Sequence, residues 1–451
     1  MKRNIPEEAK QLMSFIDAAP TPYHGAELLA GMLDEIGAVR LDEKKAWQHL
    51  VPGKNYYFVR NDSCIAAFRL GRSSPEKAGW HISLSHMDYP CLKVRPNPVS
   101  SANSYLRINV ETYGGLIEHS WFDRPLGLAG RVYVRAENEE GFEGININRD
   151  RPLLIIPELA IHMNRGVNDN AKFNPQTEML PFLSQDPGAD EDQYKSNLII
   201  RIISEETGVK PEDILSFDLS VYDCNKSCTV GEKDEFISAP HLDDGEMVFC
   251  SFAGFIDAAK QLTDPADDRA ASENLPEYNS LAIAFDHEEV GSVSDRGARS
   301  NLLISILNRI NRNIGGNDES LDRALANTVI CSADMAHASH PSYPGTYDPD
   351  HKVFLNKGPV LKHSYSQTYI ESPRAAAMFR KFCTENDIPF QEFVNRNDLR
   401  GGSTVGPASA AAAGSTGFDI GNAIFSMHSI RELGGTDDVK YAVDFFKAFH
   451  R

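Results

Sequence analysis

Four apolar runs in this chain of 451 residues each end in side chains that bind metals, and this repeat constrains the fold more than any other feature. The runs read as buried strands because they are short, apolar and bounded by polar residues. They are residues 81–85 before His86-Met87-Asp88, 281–285 before Asp286-His287-Glu288-Glu289, 328–331 before Ser332 to His337, and 424–427 before His428. In an open α/β sheet, residues just past the carboxyl ends of strands line the crevice that binds ligands. We therefore predict an α/β domain with a site at one edge of its sheet.

The side chains at these strand ends predict a metal site. Imidazole and carboxylate groups suit Zn, Mn or Co, and two ions that share one carboxylate need about five such groups. With one more residue from the segment 238–245, the candidates are His86, Asp243, Glu289, Asp334 and His428. Each segment alone is more often structural, and an isolated Glu-Glu pair is usually a solvated turn. The repetition of one ligand chemistry after four strands favours the metal site.

Two local patterns suggest how such a site divides its work. Neighbouring residues at a strand end point in different directions, so Glu289 can bind a metal while Glu288 faces the attacking water. In the pattern His86-x-Asp88, the aspartate can accept the second imidazole N–H, which fixes the tautomer and makes the ligating nitrogen more basic. Both patterns are weak alone and gain weight from the surrounding ligands.

The order of the ligands along the chain predicts an inserted domain. His86 precedes a series of short β-like runs, whereas Asp243 and the remaining ligands follow it. One metal site forms only if residues near 95 and 235 return to the same place. We predict a catalytic domain in two parts, residues 1–94 and 235–451, interrupted by a β-rich domain over residues 95–234. A chain of this length exceeds the size at which single cores stop growing, which agrees with two domains.

Composition excludes several classes of function. The formal net charge of −19 argues against a nucleic-acid partner, because phosphate binding needs a positive surface. No apolar leader and no long uncharged apolar stretch is present, so we expect a cytoplasmic protein with no membrane partner. The seven cysteines are odd in number and scattered, which is typical of a reducing compartment and not of a disulfide framework.

The chain resembles the M18 metallopeptidases, a family that includes aspartyl aminopeptidase. The matching segments stand in family order along nearly the whole chain: residues 21–24, 85–90, 121–132, 161–162, 238–244, 286–292, 332–341, 357–362 and 426–432. The resemblance implies a zinc-peptidase catalytic domain with a central mixed sheet flanked by helices. It also implies that the inserted domain forms dimers, and that the dimers build a dodecamer.

The resemblance assigns a role to each site residue. His86, Asp243 and Asp334 are similar to the ligands of one divalent ion; Asp243, Glu289 and His428 are similar to the ligands of the second. The family implies Zn, with Mn or Co as alternatives. Glu288 matches the general base that activates the bridging water, with Asp88 beside it. His162 matches a histidine that stabilises the oxyanion from a neighbouring subunit.

The resemblance indicates the preference for the substrate's first residue less directly than it indicates the metal ligands. Lys362 matches a lysine that pairs with an acidic side chain of the substrate, and His340 and Tyr369 match other pocket positions. This predicts peptides with an acidic first residue. The chain departs from the family at His287, where Asn is usual, and in the loop 395–404, so a neutral preference stays open.

Other functions remain as alternatives. A scaffold or cargo protein of this fold would be free to lose Glu288 or a metal ligand. This chain has Glu288 and all five candidate ligands, which makes six residues in total. A glycosidase needs two carboxyl groups and no imidazole ligands. Within metallohydrolases, a carboxypeptidase or amidohydrolase is the nearest rival, and the segments 121–132 and 426–432 favour the aminopeptidase.

Overall fold

The computed structural model describes residues 4–169, 172–186, 197–262 and 275–451, which form two compact units. The larger unit contains the chain up to Asp88, Ser227–Met427 and Glu432–Arg451, and the inserted unit contains Tyr89–Lys226 and His428–Arg431. The predicted insert, residues 95–234, overlaps the inserted unit. None of the helices in the described ranges combines the length and apolarity needed to cross a membrane.

The regular elements are numbered in chain order. The strands are β1 Val39–Arg40, β2 Asn55–Arg60, β3 Cys64–Arg69, β4 Trp80–His86, β5 Cys91–Ala102, β6 Tyr105–Tyr113, β7 Leu126–Arg135, β8 Phe142–Leu154, β9 Phe182–Gln185, β10 Ile214–Asp223, β11 Cys228–Val230, β12 Phe236–Ala239, β13 Asn279–Phe285, β14 Val329–Ala333, β15 Ala336–His337, β16 Val360–His363, β17 Gln391–Val394, β18 Thr416–Gly421, β19 Ala423–Ile424 and β20 Glu432–Gly435. The helices are α1 Glu7–Ala18, α2 Pro22–Glu35, α3 Pro75–Ala78, α4 Leu198–Thr207, α5 Leu242–Leu262, α6 Leu302–Asn313, α7 Asp318–Ala326, α8 Pro373–Glu385, α9 Val405–Ala413 and α10 Thr436–Phe449.

A mixed sheet of nine strands forms the centre of the larger unit, in the order β1-β2-β3-β13-β4-β14-β18-β16-β17. β4 runs parallel to β13 and β14, and β14 runs parallel to β18, so the carboxyl ends of these four strands lie at the same edge. The register pairs Phe285 with His86, which brings the last residue of β13 level with the last residue of β4. The predicted α/β class with a mixed central sheet is confirmed.

Both faces of this sheet are buried by apolar layers. Because successive side chains of a strand point to opposite faces, Leu281 of β13 belongs to one layer and Ala282 to the other. Helices α1, α2, α5, α8 and α10 pack on the Ala282 face, and α6, α7 and α9 pack on the opposite face. Helix α6 packs there because Leu302, Ile306 and Ile310 recur at helical spacing and form one buried stripe.

The inserted unit is a sheet of six strands in the order β8-β7-β10-β5-β6-β9, covered by helix α4. Strand β5 continues through Pro96 and Pro98, where its register with β6 shifts between Val94 and Val99. Proline lacks the N–H needed for regular pairing, so it is tolerated at such an irregularity. The sequence predicted the β-rich character of this segment but not α4.

The acidic composition of residues 263–277, with prolines at 265 and 276, predicts a surface loop. Residues 263–274 of it lie outside the described ranges.

Candidate metal centre

His86 ends strand β4 and is only 1% exposed. Its Nδ1 donates a hydrogen bond to the carbonyl oxygen of Asp88 at 3.0 Å, which places the ring's lone pair on Nε2. Nε2 lies 3.6 Å from Asp243 Oδ1 and 4.0 Å from Asp334 Oδ2. The nitrogen that is suited to bind a cation therefore faces two carboxylates.

Two overlapping groups of possible ligands occur in the larger unit, with donor atoms that lie within 4.8 Å of one another. One group contains His86, Asp243, Asp244 and Asp334, and the other contains His86, Glu288 and Glu289. Asp243 and Asp244 stand in the first turn of α5, where their backbone angles are not helical. The Asp243 N–H donates to Glu432 Oε2 at 2.9 Å, and the Asp244 carboxylate accepts the His86 N–H at 3.0 Å. These hydrogen bonds fix both aspartates beside the end of β4.

The Asp88 carboxylate holds the two adjacent glutamates. Its Oδ1 accepts the backbone N–H of Glu288 at 2.9 Å, and its Oδ2 accepts that of Glu289 at 3.0 Å. The sequence predicted that this carboxylate would accept the imidazole N–H of His86. The carbonyl of Asp88 takes that place at 3.0 Å, and Asp88 Oδ1 lies farther away, at 3.4 Å from His86 Nδ1. No local pattern indicated these amide contacts, which join residues about 200 positions apart.

The turn that carries the glutamates begins at His287, which adopts a left-handed conformation with φ of 65°. Asn, Asp and His are the residues that most readily accept this conformation apart from Gly. The ring packs beside polar groups: Nδ1 lies 2.8 Å from Ser294 Oγ, and Nε2 lies 3.4 Å from Arg296 Nη2. These contacts with Ser294 and Arg296 support the turn that carries Glu288 and Glu289.

Crowding of buried carboxylates dominates the electrostatics. Burial is the main cause that raises the pKa of Glu288 to about 7; His86 lowers it, and Asp334 and Asp88 raise it further. Burial and neighbouring carboxylates also hold the pKa values of Asp244 and Glu289 well above the usual range. Divalent cations relieve this repulsion and restore the ionised ligand forms. One imidazole nitrogen among several carboxylates therefore fits such ions.

Lys362, predicted to bind substrate, is 3% exposed and lies beside the carboxylate cluster. Its Nζ donates to the carbonyl oxygens of Asp334 at 2.8 Å and Met335 at 3.2 Å, and lies 3.7 Å from Asp334 Oδ1. Nζ also lies 5.0 Å from the centre of the Tyr369 ring. Burial is the largest single influence and lowers the pKa of this ammonium, but the neighbouring acidic groups, led by Asp334, together outweigh burial and the pKa is raised. Lys362 therefore carries a positive charge next to a proposed metal ligand.

His340, the third predicted pocket residue, belongs to a small aromatic group. Its Nδ1 accepts the backbone N–H of Ser342 at 3.1 Å. The ring packs edge-on against Phe425 with 5.3 Å between ring centres. These contacts fix the orientation of the imidazole.

Two predicted site residues belong to the inserted unit. His428 Nδ1 donates to the carbonyl oxygen of Gly115 at 2.9 Å, which places its lone pair on Nε2, as in His86. His162 is exposed and is flanked by Ile161 and Met163, which are 52% and 77% exposed. Large apolar side chains this exposed on both sides of a polar residue are typical of an interaction surface.

Comparison with known proteins points to one family. Residues 15–450 match the family described as aminopeptidase I zinc metalloprotease (M18). The "Probable M18 family aminopeptidase 2" of Clostridium novyi is 38% identical, with 100% of both chains covered. Aspartyl aminopeptidase 1 of Schizosaccharomyces pombe is 36% identical, with 98% of this chain and 94% of that protein covered. The solved mApe1 dodecamer of S. cerevisiae matches with a TM-score of 0.83 and 28% identity, covering 98% of this chain and 96% of that one.

The amide contacts of Asp88 generate a prediction. Asp88→Asn replaces one acceptor oxygen with an NH₂ group, which cannot accept an N–H and repels one of the two glutamate amides. We expect zinc affinity to fall by about 10- to 100-fold, the usual cost of losing a group that orients ligands. Competition with a chromogenic chelator measures this affinity. Asp322→Asn, an exposed change on α7, is the control, and unchanged affinity in Asp88→Asn would contradict the assigned role.

Proposed function

Because this chain belongs to the M18 family of zinc metallo-aminopeptidases, we propose that it binds two divalent ions around His86 and uses them to remove the first residue of peptides. The observation that carries this proposal is the convergence of His86 with the carboxylates of Asp243, Asp334 and Glu289 within the larger unit. The chain is a hydrolase, and its reaction needs no nucleophilic side chain. All six residues that the resemblance assigns to the metal site and its base are present, which disfavours a non-catalytic scaffold.

We assign one ion to His86, Asp243 and Asp334, and the second to Asp243, Glu289 and His428. The orientation of both histidines supports this assignment, because each Nδ1 donates to a backbone carbonyl and each Nε2 keeps the lone pair. Zinc is the proposed metal, with manganese or cobalt as alternatives. When bound, such ions would polarise the scissile carbonyl and lower the pKa of the attacking water.

Glu288 is the proposed general base and acid. Burial raises its pKa to about 7, so at neutral pH this carboxyl group can both accept and return a proton. Its backbone is held by Asp88, which fixes the direction from which it approaches the substrate. In the proposed reaction, Glu288 takes a proton from the attacking water and delivers it to the nitrogen of the leaving amine.

Self-association is the second part of the proposal. We propose dimers formed through the inserted unit and a dodecamer built from them, in which His162 stabilises the oxyanion of a neighbouring subunit. Two observations support this: the related S. cerevisiae structure is a dodecamer, and apolar residues are exposed around His162. We propose a cytoplasmic location, which the odd number and scattered positions of the seven cysteines support.

The proposed substrates are peptides with aspartyl or glutamyl first residues. The S. pombe relative is named an aspartyl aminopeptidase, and the buried ammonium of Lys362 supplies a positive charge beside Asp334. Two of its three N–H groups bind carbonyls, which leaves one donor for an acidic side chain. The alternative is a preference for neutral first residues. The hydrogen bonds of the Lys362 ammonium to the Asp334 and Met335 carbonyls favour this alternative.

The role of Glu288 is tested by Glu288→Gln, which keeps the shape of the side chain and removes its basicity. We expect turnover of aminoacyl chromogenic substrates to fall by about a hundredfold or more, with metal content unchanged. Glu289→Gln is the matched variant and should lose metal, because Glu289 is a proposed ligand. Activity near wild type in Glu288→Gln would contradict the mechanism, and metal loss there would exchange the two roles.

The acidic preference is tested by Lys362→Met, which removes the charge and keeps much of the stem. We expect the ratio of kcat/KM for aspartyl over leucyl substrates to fall about 10- to 100-fold, the contribution of one charge-assisted hydrogen bond. Metal content is measured in parallel, because Lys362 also contacts Asp334. An unchanged ratio at full metal content would place the specificity elsewhere, with the loop 395–404 as the first candidate.

A further inference from the structure

His363, at the end of strand β16, lies between two carboxylates that no part of the proposed mechanism uses. Its Nδ1 is 3.0 Å from Glu371 Oε1, and its Nε2 is 3.1 Å from Glu392 Oε2. The ring is mostly buried, with 14% of the side chain exposed. Both ring nitrogens therefore face acceptors inside the larger unit.

Donor counting fixes the protonation state that satisfies this arrangement. A carboxylate oxygen only accepts, and a neutral imidazole has one N–H, so both contacts are hydrogen bonds only when the ring is protonated. Arg380 donates to both oxygens of Glu392, at 2.6 and 2.7 Å, and these bonds are the main cause that lowers the pKa of that carboxyl. Both oxygens of Glu371 are used as well, because Oε2 accepts the Ser364 N–H at 2.7 Å.

These bonds close the loop of residues 364–371. The loop starts directly after His363 and ends at Glu371, so the bond between them joins its two ends. Within it, Tyr369 is buried next to the ammonium of Lys362. The Thr368 carbonyl accepts the Ser403 hydroxyl at 3.1 Å, which connects this loop to the loop 395–404. A change at His363 would therefore reach Tyr369 and the loop 395–404.

We propose that protonated His363 is a positioning residue that holds the loop 364–371, and with it Tyr369, against Lys362 in the pocket for the substrate's first residue. The inference rests on the proposed function of that pocket. Within the part of the chain that the structure describes, the polar contacts of the His363 ring go to Glu371 and Glu392, neither of which is a proposed metal ligand. Its effect is on the shape of the pocket and hence on substrate binding.

The groups that face the ring are Glu371 from the loop and Glu392 from β17, with Arg380 of α8 behind Glu392; on the adjacent strand β18, Asp419 faces Lys362 instead. The protonated ring therefore lies between two carboxylates, and an uncharged side chain in its place would remove both charge-assisted hydrogen bonds. Because the loop contacts the pocket and not the proposed ligands, we expect such a change to raise KM more than it lowers kcat.

The test compares variants of the full, metal-loaded chain. His363→Gln removes the charge, His363→Arg keeps a permanent cation that can bind two carboxylates, and Glu371→Gln removes one partner while keeping the ring. His351→Gln is the matched control, because His351 contacts a single carboxylate, Asp348, in an exposed turn. Two readouts are collected: kcat and KM for aspartyl and leucyl substrates, and hydrogen exchange of residues 364–371 by mass spectrometry.

His363→Gln should raise KM about tenfold, the loss expected for one hydrogen bond to a charged group, with a smaller change in kcat. His363→Arg should keep KM near that of wild type, because its cation can bind both carboxylates. Exchange of residues 364–371 should increase in His363→Gln and Glu371→Gln, and stay unchanged in His351→Gln. A KM of His363→Gln equal to that of wild type, or exchange equal to wild type, would overturn the proposal. If no variant and no wild-type chain hydrolyses either substrate, the proposed function fails, and the exchange result still decides whether His363 holds the loop.

Discussion

Two hydrogen bonds, from the Glu288 and Glu289 amides to Asp88, fix the geometry on which the rest of the site depends. They join the end of strand β4 to the turn after strand β13, two parallel neighbours in the central sheet. Hydrogen bonds to a charged acceptor contribute about 1.5–3 kcal/mol, more than bonds between neutral groups. The same short segment also orients His86 through the Asp88 carbonyl. One residue thus sets the positions of a proposed ligand on each strand and of the proposed base.

The crowded carboxylates of the site destabilise the folded chain but provide the groups that would bind metal. Burial of several carboxylates within a few ångströms of one another raises the pKa values of Asp244, Glu288 and Glu289, so the folded chain opposes their joint ionisation. The rigid sheet edge keeps them together regardless, because both faces of the sheet are packed with apolar side chains. Divalent cations convert this repulsion into binding free energy. The crowding is therefore the physical origin of the proposed metal affinity, and the ammonium of Lys362 beside Asp334 offsets part of it.

The sequence predicted the elements whose patterns are local. Apolar runs bounded by polar residues indicated β4, β13 and β14, and the structure places strands at Trp80–His86, Asn279–Phe285 and Val329–Ala333. The parallel arrangement of these strands explains why ligands so far apart in sequence come to one edge.

Contacts that depend on tertiary structure were not predictable in this way. The amides bound by Asp88 and the carbonyls bound by Lys362 are backbone groups, and no side-chain pattern reports where a backbone group will lie. The sequence analysis did not predict helix α4, because the helix lies between strands in the chain and its apolar residues pack on the sheet that those strands form. Strand β5 continues through Pro96 and Pro98, although proline is rare in regular strands, because the register shift with β6 accommodates them, and that shift depends on the partner strand. The contacts of His363 with Glu371 and Glu392 join a strand end to residues 8 and 29 positions away. No sequence motif connects these three residues.

Anomalous diffraction from zinc-loaded crystals, measured on both sides of the zinc absorption edge, tests the central claim most directly. The account predicts two anomalous peaks in each subunit that share Asp243, one bound by Nε2 of His86 and by Asp334, and the other by Glu289. Neither peak should contact Glu288 more closely than its assigned ligands. A single peak, or peaks away from His86, would contradict the account of a two-metal site assembled at the edge of the central sheet.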